Sequence, residues 1–300
     1  MAKLNRPPVI YSPTTLQDLL KIYSLNPDSL IYAGGTGLQF GSTGDNFQIR
    51  GSVINIAGVE ELKKINRTDR YLELGASVPV SRVIDLGKSI VPEALYAALK
   101  QMGPPQIRNM ATMGGNICRQ ANTMDIFPVL HLHDSQVELR KFRENRSPRR
   151  FLKGVGSRWI PVSRLLDNEG KITMDKGEIL TRIRIPSENW SFQSYRKIDG
   201  PGAPLIFTAL ANMDKHIVTD IRLSFSTVRE KLIRNRDIEA EMIGHRVPFS
   251  KRDLALLKGK LENYFKGTGE SSFTTARASA LTIQFLEKIS EPVDEGSYFQ

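Results

Sequence analysis

Two glycine-rich stretches constrain this chain more than any other feature. The first, "LIYAGGTGLQFGSTG" (Leu30 to Gly44), ends a strand-like apolar run in a loop with five glycines within eleven residues. The second, "GPPQIRNMATMGGNICRQ" (Gly103 to Gln120), interrupts a helical pattern. A chain that gives up side chains after a strand either turns sharply there, since glycine accepts positive φ, or keeps its backbone open to something bulky. Successive small residues can present consecutive N–H groups in a concavity that holds phosphate oxygens. Gly34, Gly35, Thr36 and Gly37 have that makeup, with the Thr36 hydroxyl as an added donor, and Thr112, Gly114, Gly115 and Asn116 repeat it. Neither stretch has the Gly-x-Gly-x-x-Gly spacing of a dinucleotide turn or the Gly-Lys-Ser/Thr ending of a P-loop. Taken singly, each reads first as a turn. A diphosphate lying between the two segments could use both.

The totals narrow the class. Three hundred residues suffice for two or three compact units. An apolar share of 40% and a charged share of 25% describe an ordinary globular chain. No apolar run approaches the roughly 18 residues of a membrane span. The start, "MAKLNRPPVIYSP", lacks the apolar core of a signal peptide, so a cytoplasmic location is expected. A single cysteine, Cys118, excludes an internal disulfide and any iron–sulfur cluster or multi-cysteine zinc site built from this chain alone. The net charge of +10 raises nucleic-acid binding, but the basic residues are spread along the chain. The densest group, "RKFRENRSPRRFLKG" (Arg140 to Gly154), has no regular aromatic interleaving. It reads as a solvated loop or a partner-docking surface. No nucleic-acid partner is expected.

Along the chain, Thr15 and Asp18 open a capped helix whose Leu16, Leu19, Leu20 and Tyr23 share one face. Strands are expected at "LIYA", "QIRGSVINI" and "YLELGAS", and helices at "VEELKKI", "VSRVIDLG" and "PEALYAALKQM", the last with Pro92 in its first turn. "DIFPVLHLH" and the alternating "QVELRKF" complete an α+β region, in which Asp125 is a candidate helix cap. Past about residue 186, "WSFQSYRKI", "LIFTALANMD" and "IVTDIRLSFSTV" read as an antiparallel meander. Two amphipathic helices, "SKRDLALLKGKLENYFKG" and "TTARASALTIQFLEKI", follow it. His131 and His133, two apart, suit a strand better than one helical face, and with His216 and His245 form no metal-ligand pattern.

The segments "PTTLQDLLKIYSLNPDSLIYAGGTGL", "INIAGVEELKKI", "LELGASVPVSRV", "QIRNMATMGGNI" and "GEILTRIRIP" occur in this order. Together they resemble the FAD-binding subunit of the molybdenum hydroxylases, the xanthine dehydrogenase, aldehyde oxidoreductase and carbon monoxide dehydrogenase family. The likeness runs from about Val9 to Ile289. It implies an α+β chain: a two-subdomain FAD-binding fold of the PCMH type (1–56 and 57–185), a C-terminal domain with an antiparallel sheet and helices (186–290), and a disordered tail (291–300).

By the same resemblance, Ala33, Gly34, Gly35, Thr36, Gly37 and Leu38 wrap the FAD diphosphate. Thr112, Gly114, Gly115 and Asn116 touch the diphosphate and ribityl part, and Asp125 bonds the adenosine ribose. Cys118 is a buried contact and no nucleophile. Ile179 and Leu180 lie near the flavin ring, and Lys197 either faces the ring or is an exposed strand residue. The chain departs from the family at Gly37, where an acid or similar residue is usual. It departs again at Gln120-Ala121-Asn122, where Ala-Ser-Pro is common. These changes bear on the substrate branch more than on flavin binding. Related flavoproteins that attach FAD covalently do so through a histidine in the glycine loop. Thr36 holds that position here, so a dissociable FAD is expected.

The family role implied is electron transfer. Electrons would arrive one at a time from 2Fe-2S clusters on a small partner subunit, with molybdopterin on a large one, and leave to NAD or another acceptor. No catalytic acid or base is required of this chain. A stand-alone flavin oxidoreductase of the same fold, and a basic nucleic-acid or scaffold-binding protein whose glycines only turn, are the competing readings.

Overall fold

The structure, a computed structural model, describes residues 9–38, 51–119, 125–144, 153–167, 171–199, 204–227 and 232–291. The expected tail falls almost wholly outside these residues, as do Gln120 to Asn122 and the tip of the basic stretch. The chain is α+β, as expected, with three sheets among the described residues.

The first sheet is small and parallel: β1 (Val9–Tyr11), β2 (Leu30–Tyr32) and β3 (Ser52–Asn55), in the order β1-β3-β2. Helix α1 (Leu16–Leu25) crosses between β1 and β2. Thr15 caps it, its hydroxyl accepting from the Asp18 N–H at 3.1 Å. The face read from the sequence buries Leu19 and Leu20 against Ile54, Ile56, Val59 and Leu62.

The second sheet has five antiparallel strands: β4 (Ile65–Arg67), β5 (Tyr71–Gly75), β6 (Gln136–Glu144), β7 (Lys153–Pro161) and β8 (Ile179–Pro186), ordered β4-β5-β8-β6-β7. Helices α2 (Val80–Ile84), α3 (Glu93–Gln101), α4 (Pro105–Met110), α5 (Met113–Cys118) and α6 (Phe127–Leu132) run between β5 and β6. Leu74, Val137 and Ile183 of the sheet share a core with Leu95, Leu99, Met113 and Phe127. The outer face is charged. Glu138, only 2% exposed, accepts from Thr181 Oγ1 at 2.8 Å and from Arg182 Nε at 2.8 Å, and pairs with Arg140 at 2.8 Å.

The third sheet is the expected meander, β9 (Phe192–Ile198), β10 (Leu205–Asp214) and β11 (Ile217–Ser226). It packs one face on α7 (Arg236–Met242), α8 (Lys251–Gly267) and α9 (Ser272–Ser290), through Phe207, Phe225, Phe265 and Phe285. Its other face meets α3 and α6.

Several expectations are corrected. The basic stretch is only partly a loop: Arg140 to Glu144 belong to β6 and pair with β7. In its described part Phe142 packs beside the N-terminal core between Lys141 and Arg143, the pattern of a strand with one solvated face. His131 lies in α6 and His133 at its C-cap, not in a strand. Pro128 in the first turn and the apolar run Phe127 to Leu132 suit a buried helix, which carries both imidazoles inward. Pro92 is the N-cap of α3 and stands just before its first turn.

Candidate functional site

The first glycine loop begins where β2 leaves its sheet. The Tyr32 carbonyl still accepts from the Ile56 N–H at 2.9 Å. Gly35 then takes φ +70°, a conformation that L side chains rarely adopt, and Leu38 N–H closes a turn on the Gly35 carbonyl at 3.1 Å. Among the described residues, the backbone N–H groups of Gly34, Gly35, Thr36 and Gly37 donate to no protein acceptor. All are partly exposed. Consecutive unpaired donors at a glycine turn form a nest suited to phosphate oxygens.

The loop is pressed against the second glycine zone. A Cβ on Gly34 would overlap the Met110 carbonyl, and one on Gly37 would lie 3.2 Å from Arg119 Cδ. The fold therefore brings the two stretches together.

The second zone differs from the first in one respect, and this corrects the expectation that it repeats the same cradle. Its N–H groups are already used: Met113 donates to Val78 at 3.0 Å, Gly114 to Ala76 at 2.8 Å, and Asn116 to the Thr112 carbonyl at 2.9 Å. Gly115 N–H donates to Thr112 Oγ1 at 3.1 Å, the N-cap bond of α5. A Cβ on Gly114 would stand 2.7 Å from that of Ala76, and one on Gly115 would stand 2.7 Å from Thr112 Oγ1. These glycines permit close packing. Gly114 and Thr112 are buried and Gly115 is exposed, so what they offer a ligand is the bare surface of Gly115, not free amides.

Three further expected residues converge. Asn116 Nδ2 donates to Asp125 Oδ2 at 3.3 Å, and Lys197 Nζ sits 2.9 Å from Asp125 Oδ1. Asn116 Oδ1 also receives the Ile126 N–H at 3.5 Å. Asp125 does not cap α6; the N-cap is Ile126, without a side-chain bond. Lys197 is no freely exposed strand residue, since its side chain is 21% exposed and ion-paired.

Ala33 packs beside the N-terminal core and Leu38 ends the turn. Ile179 and Leu180, each 4% exposed, are held in protein cores, Ile179 with Leu19 and Ile54, Leu180 with Leu74 and Ile183. Cys118 is partly buried on the central core, and burial pushes its thiol up to about 12, which leaves it unreactive as a nucleophile. Among the described residues no His, Cys, Asp and Glu group could hold a metal ion.

Sequence reading missed Tyr32, Met110 and Tyr195. Tyr32 lies under Gly35, with its hydroxyl 2.6 Å from where a Cβ would be. Tyr195 precedes Lys197 by one strand period and is 3% exposed, with no partner for its hydroxyl. The alternation in "SYRKI" signals that the two share a face.

A run of backbone amides at Gly34 to Gly37 without protein acceptors among the described residues, and a carboxylate held on two sides, fit a dinucleotide with a diphosphate. Known proteins agree. Residues 3–188 match the family described as FAD binding domain in molybdopterin dehydrogenase. The xanthine dehydrogenase FAD-binding subunit of Escherichia coli O157:H7 is 29% identical over 177 residues, covering 58% of this chain and 56% of that protein. Aldehyde oxidase 1 of Bos taurus is 30% identical over 199 residues, 61% of this chain and 14% of that one. The chain thus spans about half the length of the first of these relatives and a small part of the second. In structure, a chain of carbon monoxide dehydrogenase from Hydrogenophaga pseudoflava matches with a TM-score of 0.75 at 18% identity, over 95% of this chain and 98% of that one. Quinoline 2-oxidoreductase from Pseudomonas putida 86 gives 0.73 at 16%, over 96% and 98%. At such identities the likeness is one of fold. The match over more than half of the chain makes it a member of the molybdopterin dehydrogenase FAD-binding family, with FAD as its cofactor.

Proposed function

We propose that this chain is the FAD-carrying electron-transfer subunit of a molybdenum hydroxylase-type dehydrogenase, and that it works in the cytoplasm. The observation that carries the reading is the run of unpaired N–H groups at Gly34 to Gly37, pressed against α4 and α5 in a chain of this family. When bound, FAD supplies the chemistry of accepting single electrons and releasing them in pairs as hydride.

The chain's own residues bind and orient. The first loop donates backbone hydrogen bonds to the diphosphate, and the bare surface of Gly115 with the Thr112 hydroxyl lets the cofactor lie close. Asp125 offers its carboxylate to the adenosine ribose. Thr36 holds the loop position at which related flavoproteins carry the linking histidine, and Cys118, outside the loop, is kept as a neutral thiol by burial. The cofactor is therefore held without a bond to the protein.

In this proposal electrons come from 2Fe-2S clusters on a partner subunit and molybdopterin sits on another; the single cysteine of these 300 residues cannot ligate a cluster by itself. The relative from Escherichia coli is named as a subunit, which supports an assembly of this kind. The net charge of +10 would favour docking of acidic partners and approach of the anionic acceptor NAD, an attraction weakened by salt.

Anaerobic addition of NADH to the FAD-loaded chain tests the acceptor. Bleaching of the visible flavin band is expected. A band bleached by dithionite but untouched by NADH would remove NAD from the proposal.

A further inference from the structure

The Asp125–Lys197 pair raises a question about what Lys197 serves. Its ammonium sits 2.9 Å from Asp125 Oδ1, and the other carboxylate oxygen takes the Asn116 amide at 3.3 Å. The Asp125 side chain is 12% exposed, so its charge is largely removed from water. Taking Lys197 away to another task would leave a nearly buried carboxylate with one neutral amide, a costly arrangement. Tyr195, on the same face of β9, offers no charge in its place. Burial first, and then Asp125 and Asp199, raise its phenol well above the ordinary value, so it stays neutral. An ionised carboxylate has about four acceptor positions. Among the described residues two of these are filled, one on each oxygen, and the others can take the vicinal hydroxyls of a ribose.

We propose that Lys197 is a positioning residue that fixes Asp125 for the adenosine side of the cofactor and does not serve the flavin ring. The inference rests on the FAD reading above. It assigns the ammonium to the carboxylate in the loaded chain as well as in the free one, with Asn116 as the second brace.

The test is a double-mutant cycle on FAD binding, followed by flavin fluorescence, with K197M, K197R, D125N and the K197M/D125N pair. The midpoint potential and visible spectrum of the bound flavin are recorded at saturating FAD. K197M is expected to weaken FAD by about tenfold or more, the scale of removing one partner of a desolvated charge pair. The double variant binds no more weakly than D125N, and K197R restores most of the affinity because it keeps the cation. The spectrum and potential stay at the wild-type values, since the ring is not touched. Losses that add in the double variant, or a shifted spectrum or potential in K197M, overturn the inference. Wild-type protein that takes up no FAD is a different failure, which removes the cofactor reading itself. Melting of each variant without FAD identifies any that fail to fold, and K197R then carries the test.

Discussion

The α-carbon of Gly34 lies against the Met110 carbonyl so closely that a Cβ would overlap its oxygen. This contact joins the loop after β2 to the end of α4, and so assembles the candidate site from segments more than seventy residues apart. The bareness of Gly34 is thus required by the protein's own packing, before any ligand is considered. At Gly35 the reason is conformational, φ +70° over the Tyr32 ring.

Gly34→Ala should therefore act on the fold as well as on the cofactor. Forcing backbone apart at such a contact costs about 1–3 kcal/mol. Gly37→Ala is the comparison, because its Cβ would meet the movable Arg119 side chain at 3.2 Å. Thermal melting should show Gly34→Ala clearly destabilised and Gly37→Ala near wild type. Equal melting of the two would show that the Gly34 contact does not hold the loop.

Thr112 caps α5, and the proposed function gives its hydroxyl a second use beside the cofactor. Thr112→Ala should lower stability by about 1 kcal/mol, as loss of an N-cap does. Thr112→Ser should retain both stability and FAD affinity. Denaturant melts paired with FAD titration check this, and an unaffected Thr112→Ala would remove the cap from the account.

Acid should loosen the protein in two separable windows. Burial lowers His131 to about 4, aided by Arg234, and lowers His133 to about 4, aided by Arg222. Both are neutral when folded and bind protons more readily when unfolded, so their contribution is complete above about 6.5 and is lost as pH falls toward 4. Each is worth on the order of 3 kcal/mol at most. A His133→Phe variant should show a flatter stability profile between pH 6.5 and 4. An unchanged slope in that window would contradict the burial of a neutral imidazole.

Glu138 titrates lower. Its burial disfavours the charge, but hydrogen bonds from Arg182, Arg140 and Thr181 overcome this and bring it down to about 2. A depressed carboxyl stabilises above its unfolded value of about 4.5 and loses that contribution as pH falls through 2. Glu138→Ala leaves Arg140 and Arg182 without their shared acid; both are partly exposed and Arg182 keeps Glu73, so the cost near neutral pH should be about 1–3 kcal/mol. Urea melts at neutral pH and at pH below 3 should show this penalty shrinking on acidification. A constant penalty would contradict the ion-pair origin.

Much of this was legible in the chain. The Thr15 cap, the Leu19/Leu20 face and the meander of β9 to β11 follow local rules, and local rules suffice for them. Strand β7 went unread because glycines and charged residues break its apolar signal, and the end of α6 because two histidines imitate strand alternation, although the strand at β6 and a helix starting near Asp125 were legible. The glycines marked two segments that the fold brings together, but not why each is bare. Gly114 answers to Ala76 and Gly34 to Met110, contacts between segments that no local pattern encodes. The Asn116–Asp125–Lys197 cluster likewise joins α5, the start of α6 and β9, and only the tertiary fold reveals that it is connected.

The most direct test of the central claim is the visible spectrum of the purified chain after incubation with FAD and removal of excess, before and after acid precipitation. The account predicts a bound flavin spectrum, with the colour passing wholly into the supernatant on precipitation. A chain that remains colourless would contradict the cofactor site at Gly34 to Gly37, and flavin retained in the pellet would contradict its non-covalent attachment.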